Sequence, residues 1–385
     1  MTPGHSALGP LWEVDVHVFP MAHPSDWSPL QCLITAGTIR PREIVAVLGK
    51  TEGNGCVNDF TRAYASDTLR AMLTNVNELS EQALPVIVMS GGTEGVLSPH
   101  ATVFVRRPVH SAAERLPSEP GLMIAAGRSA TLPPEHLGTI KQAEQVVDTV
   151  RQCLRQGEIA RADVAYVQVK CPLLTAARIK DAASRGAAVA TEDTYHSMAL
   201  SRAAAALGVA LALVEVTAQH LDGVTIGKAP HLYSAVASAS AGIELDHHEV
   251  FVLGQSLLAT GDLRIGHAVM QHPLDVAAFA RALAGAARSA PDAEARLANV
   301  VQVLAKAEAP PDGTVLGSRH TMLDDSDIPH SRMARAVVGA VLASAAQRTA
   351  LYVSGGAECQ GPPGGGPLAV IYRRPDLSST VQFAS

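Results

Sequence analysis

Three times along the chain a lone lysine closes an apolar, strand-like run: EIVAVLGK ends on Lys50, VAYVQVK on Lys170 and VVQVLAK on Lys306. Three later runs reach a serine followed by small residues and a glutamate: VIVMSGGTE at Ser90, ASASAGIE at Ser240 and LYVSGGAE at Ser354. A serine beside an unprotonated lysine is a nucleophile with its own base, a known variant of the activated-nucleophile arrangement. One lysine at a strand end is ordinarily a solvated terminus. Three at the same repeat position share a positive field, and like charge together with burial lowers the pKa of at least one toward the range of a general base. The residues after each serine, Gly91-Gly92, Ala241-Gly242 and Gly355-Gly356, are small enough for the backbone to approach a ligand. Their N–H groups are candidates to hold a carbonyl oxygen as it becomes an oxyanion. A single SGG reads as a tight turn after a strand; the recurrence favours binding.

Arginine recurs with the same logic. Arg202 is the sole charge from Ser197 to Val214, and Arg335 the sole charge from Ala334 to Ala346. Arg62 holds the equivalent place on a less apolar helix, TRAYASDTLRAML. A guanidinium on an apolar helix needs a polar cavity or an anionic partner, because burying it unpaired is prohibitive. Any one of the three could snorkel along the surface. Recurrence favours a shared ligand site.

The elements that must position these groups repeat as well. Each third opens on a strand: EVDVHVF from Glu13, GLMIAAG from Gly121 and LRIGHAV from Leu263. A Pro-containing loop, a helical segment, the lysine strand, a long helix and the serine strand follow. Each third then closes on an apolar strand: TVFVRRP from Thr102, HEVFVLG from His248 and LAVIYRRP from Leu368. This order predicts three α+β units at 1–112, 119–252 and 258–385, each a small sheet packed on helices. The joints are the polar, proline-bearing HSAAERLPSEP, His110–Pro120, and the shorter GQSLLATGD, Gly254–Asp262.

Composition narrows the function classes. At 385 residues the chain is too long for one ordinary core. With 47% hydrophobic and 17% charged residues it is a packed globular composition. The net charge of −6, with both signs interspersed and no basic stripe, argues against a nucleic-acid partner. Five cysteines without CxxC spacing read as reduced thiols of a cytoplasmic protein. The N-terminus shows no secretory signal, and Ala203–Val214, the most apolar stretch, is too short to span a bilayer, so no membrane partner is expected. Gly49-Lys50-Thr51 imitates the end of a phosphate loop, but Ile44 stands where its leading glycine is required. No HExxH or HxH occurs, which argues against catalytic zinc.

Seven segments carry a family resemblance: GKTEGNGCVNDFTR from Gly49, MSGGTEGVLSPH from Met89, VQVKCPLLT from Val167, SASAGIE from Ser238, AKAEAPPDG from Ala305, RHTMLDDSDI from Arg319 and YVSGGAECQGPPGGGP from Tyr352. Spread over all three units, they resemble the ring-opening amidohydrolases, the cyanuric acid hydrolase and barbiturase group, and more the former. The resemblance implies three similar units about a pseudo-threefold axis with a central active site. It implies hydrolytic opening of cyanuric acid to carboxybiuret, which decarboxylates to biuret, as a step of s-triazine degradation. In that family the catalytic pair is the second, which here maps to Lys170 as base and Ser240 as nucleophile; the repeat alone does not single it out. Lys50 with Ser90 and Gly91, Lys306 with Ser354 and Gly355, and Ala241 would orient the ring, with Arg62, Arg202 and Arg335 as clamps. The substrate would be a small planar cyclic amide, with no organic cofactor.

The third unit adds AECQGPPGGG after Ser354, whose oxygens suit magnesium or calcium. The family likewise implies a structural ion held by Glu308, Gln360 and the carbonyls of Ala357, Pro362 and Gly365, and a homotetramer. The alternatives are a barbiturase opening barbituric acid to ureidomalonate, and a non-catalytic module that binds a small planar anion.

Overall fold

A computed structural model describes residues 10–76, 78–109, 119–221, 226–287 and 293–375. The first nine residues, most of the His110–Pro120 joint and the end of the third unit from 376 lie outside them. The apolar runs form three four-stranded sheets. The first holds β1 (Trp12–Pro20), β2 (Ile44–Thr51), β3 (Val86–Gly91) and β4 (His100–Pro108), and the second β5 (Gly121–Arg128), β6 (Val164–Pro172), β7 (Ala237–Gly242) and β8 (Glu249–Ser256). The third holds β9 (Leu263–Met270), β10 (Val300–Ala307), β13 (Tyr352–Gly355) and β14 (Gly366–Arg373); a two-stranded ribbon, β11 (Thr314–Val315) and β12 (Ser318–Arg319), sits apart.

The same strand order appears in all three sheets: opening, closing, lysine, serine (β1-β4-β2-β3, β5-β8-β6-β7, β9-β14-β10-β13). In each the lysine and serine strands pair in parallel and the other neighbours are antiparallel. Each lysine strand also has an irregular register near its start, between Ile44 and Ala46, Val164 and Tyr166, and Val300 and Gln302. A parallel pair needs a long crossover, and helices supply it: α2 (Phe60–Ala71) in the first sheet, α4 (Ala176–Ser184) and α5 (Thr194–Leu213) in the second, and α8 (His330–Ala346) in the third. The segments before the lysine strands carry α1 (Ser28–Thr35), α3 (Ile140–Gly157), and α6 (Val276–Ala286) with α7 (Ala293–Ala298). The fold is therefore mixed α and β, as the pattern requires.

The lysine, serine and closing strands are buried on both faces along most of their length, which explains their nearly continuous apolar content. One large core takes Leu48, Val88 and Phe104 from the first sheet, Val167 and Phe251 from the second, and Leu304 and Ile371 from the third. Phe104 and Phe251 meet with ring centroids 5.5 Å apart. The outer face of the first sheet packs with Leu30 and Leu69 of its helices, and that of the third with Phe279 and Leu342.

Two boundaries differ from the sequence reading. Strand β8 runs through Ser256, so the second joint begins at Leu257, and it is stitched to β1 by Trp12 N–H to Leu258 O (2.8 Å) and Thr260 N–H to Trp12 O (2.9 Å). The stretch from Ala203 belongs to a 20-residue helix, α5, long and apolar enough to cross a bilayer by length and composition. Its apolar residues are instead buried against α3 and β7. An Asp193 side chain caps its start, accepting from His196 N–H at 2.8 Å.

Candidate active site

Parallel pairing puts each lysine directly opposite its serine: Lys50 beside Ser90, Lys170 beside Ser240, Lys306 beside Ser354. All three lysines are buried, at 0%, 1% and 0% exposure. Lys50 Nζ donates to Gly91 O (3.0 Å) and Ser90 Oγ (3.4 Å). Lys306 Nζ donates to Ser354 Oγ (3.1 Å), Gly356 O (3.1 Å) and Ala239 O (2.6 Å). The second pair is different. Lys170 Nζ donates to Met89 O (2.8 Å) and sits 2.7 Å from Glu244 Oε1, while the buried Ser240 Oγ has no hydrogen-bond partner.

Burial disfavours the charged ammonium and lowers all three lysines. Lys50 falls well below its ordinary value through burial and then the Arg335 charge, and Lys306 falls to about 7 through burial and the Arg202 charge. Lys170 is lowered by burial too, with Glu244 opposing. Burial alone would raise the Glu244 carboxyl; Lys170 and Arg62 hold it below its usual range.

The arginines find their anionic partners inside the protein. Arg202 binds Glu358 through two hydrogen bonds (2.7 and 2.6 Å), and Arg335 binds Glu94 likewise (2.7 and 2.5 Å). Arg62, 3% exposed, donates to Ala241 O (3.1 Å) and Cys56 O (2.7 Å), with Asp59 at 3.8 Å. Snorkelling is ruled out for Arg62 and Arg335, both buried, and Arg202 is only partly exposed. The partners of Arg335 and Arg202, Glu94 and Glu358, each lie four residues after a serine, in the glutamate of the SGGTE and SGGAE runs.

These contacts form a ring through the three sheets. The arginine of the first third reaches the serine loop of the second, that of the second reaches the third, and that of the third reaches the first. The lysines run the other way: Lys170 to Met89 O, Lys306 to Ala239 O, and Lys50 over the Tyr352 ring, 5.8 Å from its centroid.

The small residues after the serines have a further reason. Gly92 and Gly356 adopt φ of +99° and +75°, and a Cβ on either would lie 2.7 Å from guanidinium atoms of Arg335 or Arg202. Glycine there admits the arginine as well as any ligand. A cavity of about 230 Å3 opens beside these groups, lined among others by Arg202, Arg335, Gly355, Gly356, Glu308 and Glu358. That is below the roughly 300–1,000 Å3 of drug-sized pockets, and neither the three lysines nor Ser90, Ser240 and Ser354 are among its lining residues.

Of the expected ion ligands, Glu308 lines that cavity; burial and then Glu358 push its carboxyl up to about 7, and it accepts from Gly364 N–H at 3.2 Å. Gln360 is buried, its Oε1 accepting from Ala239 N–H (2.6 Å) and its Nε2 donating to Gly356 O (3.1 Å). The Ala357 and Pro362 carbonyls accept turn N–H groups of Gln360 and Gly365. Among the described residues no group of three or more His, Cys, Asp or Glu is arranged to hold a metal. A half-buried carboxylate beside carbonyl and amide oxygens is a hard donor set, which fits a magnesium- or calcium-like ion and not a transition metal.

Sequence reasoning gave no role to Glu94, Glu244 and Glu358, although their constant offset from the serines was a visible signal. It also missed Asp59, whose side chain caps α2 through Thr61 N–H (3.0 Å) and holds Gly55 N–H (2.8 Å), and Tyr352.

With this geometry in hand, the comparisons with known proteins are specific. The family described as Amidohydrolase ring-opening protein matches residues 15–373. The chain belongs to this ring-opening amidohydrolase family. It is 48% identical over 367 residues to a cyanuric acid amidohydrolase of Enterobacter cloacae, covering 94% of this chain and 99% of the relative. It is 47% identical to one of Pseudomonas sp. strain ADP, covering 94% and 100%. A solved cyanuric acid hydrolase, described as an evolutionary innovation by structural concatenation, superposes with a TM-score of 0.89 at 47% identity, covering 94% of this chain and all of the other. A cyanuric acid hydrolase from A. caulinodans gives a TM-score of 0.86 at 46% identity, covering 94% and 99%.

Proposed function

We propose that this protein is a cyanuric acid amidohydrolase that opens its substrate with a Ser-Lys pair. The observation that carries the proposal is the set of three in-register lysine–serine pairs, linked in a ring, in which Ser240 alone keeps an unpaired oxygen. We infer from the cyclic contacts that the three units surround a pseudo-threefold axis. Cyanuric acid has that symmetry itself, so three serine loops and three arginines can meet equivalent edges of the ring and prepay its orientation.

In this reading Ser240 Oγ attacks a ring carbonyl carbon while its proton passes to Lys170 Nζ, and Lys170 releases a proton to Glu244, 2.7 Å away. The ion pair as a unit has room for one proton more, so Lys170 need not start neutral. The developing oxyanion is held by loop N–H groups and the nearby cations. The C–N bond breaks as the ring nitrogen takes a proton, and water then hydrolyses the serine carbamate to carboxybiuret, which loses carbon dioxide to give biuret. Lys50, Ser90, Gly91, Lys306, Ser354, Gly355 and Ala241 orient and polarise the ring, with Arg62, Arg202 and Arg335 as clamps. An ion held by Glu308, Gln360 and the carbonyls of Ala357, Pro362 and Gly365 would brace the Ser354 loop. The enzyme would work in the cytoplasm as a homotetramer, which light scattering of the purified protein tests. Loss of ring absorbance with cyanuric acid and with barbituric acid tests the chemistry: turnover of neither sinks the enzyme reading, and preference for barbituric acid replaces the substrate.

A further inference from the structure

The floor beneath the lysine–serine layer is not equivalent in the three sheets. Two residues before each serine, on the same strand face, stand Val88, Ser238 and Tyr352. Only Tyr352 is long enough to reach across to the other serines. It is fully buried on β13, its ring lies under Lys50 Nζ at 5.8 Å from the centroid, and its hydroxyl faces Ser90, Ser354 and Ser240. Burial raises that hydroxyl to about 12, so at neutral pH it keeps its proton and can donate it. Yet it makes no hydrogen bond in this conformation, and neither does Ser240 Oγ. Two buried hydroxyls left unpaired and facing one another are rare. The other two serines are already served, Ser90 by Lys50 and Ser354 by Lys306. Ser240 has lost its lysine to Glu244 and Met89 O.

We propose that Tyr352 is a positioning residue for the reaction: once the substrate is seated, its hydroxyl turns to donate a hydrogen bond to Ser240 Oγ from beneath and fixes the serine rotamer that faces the substrate carbonyl, a bond absent from the free protein. This rests on Ser240 being the nucleophile. A bond to this oxygen occupies one serine lone pair and leaves the other directed to the ring carbonyl carbon, with the proton free to pass to Lys170. It also ties the third unit to chemistry done in the second.

Tyr352→Phe tests this with the ring, its packing and the Lys50 contact retained. Loss of one orienting hydrogen bond lowers kcat about tenfold or more, with KM within about twofold. The unfolding temperature does not fall, since the hydroxyl had no partner in the folded protein. A kcat within about twofold of the parent overturns the proposal. So does a fall in kcat accompanied by a matching loss of folding stability, which would make Tyr352 a packing residue. Ser240→Ala run alongside separates the two readings: residual turnover in that variant sinks the nucleophile assignment, whereas an inactive Ser240→Ala with a fully active Tyr352→Phe sinks the tyrosine proposal alone.

Discussion

Replacing Ser240 by alanine should remove activity without weakening the fold, and this pairing of effects follows from the geometry. The Ser240 Oγ is 8% exposed as a residue and has no hydrogen-bond partner, so its deletion breaks no folded-state bond. It relieves a buried unsatisfied hydroxyl instead, a group whose burial costs about 1–3 kcal/mol, so Ser240→Ala should be neutral or slightly stabilising. Turnover, by contrast, should drop by on the order of 10^6, the scale seen when a nucleophile is removed from a preorganised site. Ser354→Ala should behave oppositely in stability: it deletes the 3.1 Å bond from Lys306 Nζ and should cost about 1 kcal/mol. Purified variants followed by biuret formation and by denaturant unfolding give both quantities. Turnover by Ser240→Ala within tenfold of the parent, with Ser90→Ala or Ser354→Ala inactive, would move the chemistry to another unit and refute the argument.

Gly356→Ala should destabilise by about 1–3 kcal/mol and weaken substrate binding, because φ is +75° and the added Cβ meets the Arg202 guanidinium; an unchanged denaturation midpoint would contradict this. Because burial depresses the Lys50 pKa, the unfolded chain binds a proton that the folded protein lacks up to the ordinary 10.5. Stability should therefore rise with pH between the depressed folded value and 10.5, by at most about 1.4 kcal/mol per pH unit for this group; Lys50→Met should flatten that rise, and an equal slope in both proteins would count against a buried Lys50 of lowered pKa. Chelation should release a stoichiometric divalent ion and lower the unfolding temperature, with Glu308→Gln already showing the lower value; elemental analysis that finds no ion in the native protein would refute the metal site.

Much of the fold was legible before any coordinates. Lysine, serine and closing strands all lie where apolar runs end on polar residues, because a strand buried on both faces needs continuous Val, Ile and Leu and can turn polar only where it reaches the site. The length of α5 was not legible: read from the sequence, the apolar stretch is only Ala203–Val214 and too short to span a bilayer, whereas the helix starts at Thr194 and is long and apolar enough, so burial marks it as a core helix.

The site was legible in part. The sequence by itself determined which residue types recur and that each lysine strand precedes its serine strand in the same order, since duplication preserves order; the intervening lengths differ, 40 residues in the first pair and 48 in the third, so the register that sets each lysine opposite its serine was decided by strand pairing. It could not say who meets whom across units. Glu94 and Arg335 are 241 residues apart, and Lys170 and Met89 81 apart, so their contact is set by how three sheets pack and not by any local preference. Tertiary structure alone decided that Arg202 and Arg335 are neutralised from within, that Lys170 turns to Glu244, and that Ser240 is left with a free hydroxyl above Tyr352. Three copies identical in pattern become unequal because each lysine's neighbours come from a different unit, and burial amplifies every such difference in charge and hydrogen bonding.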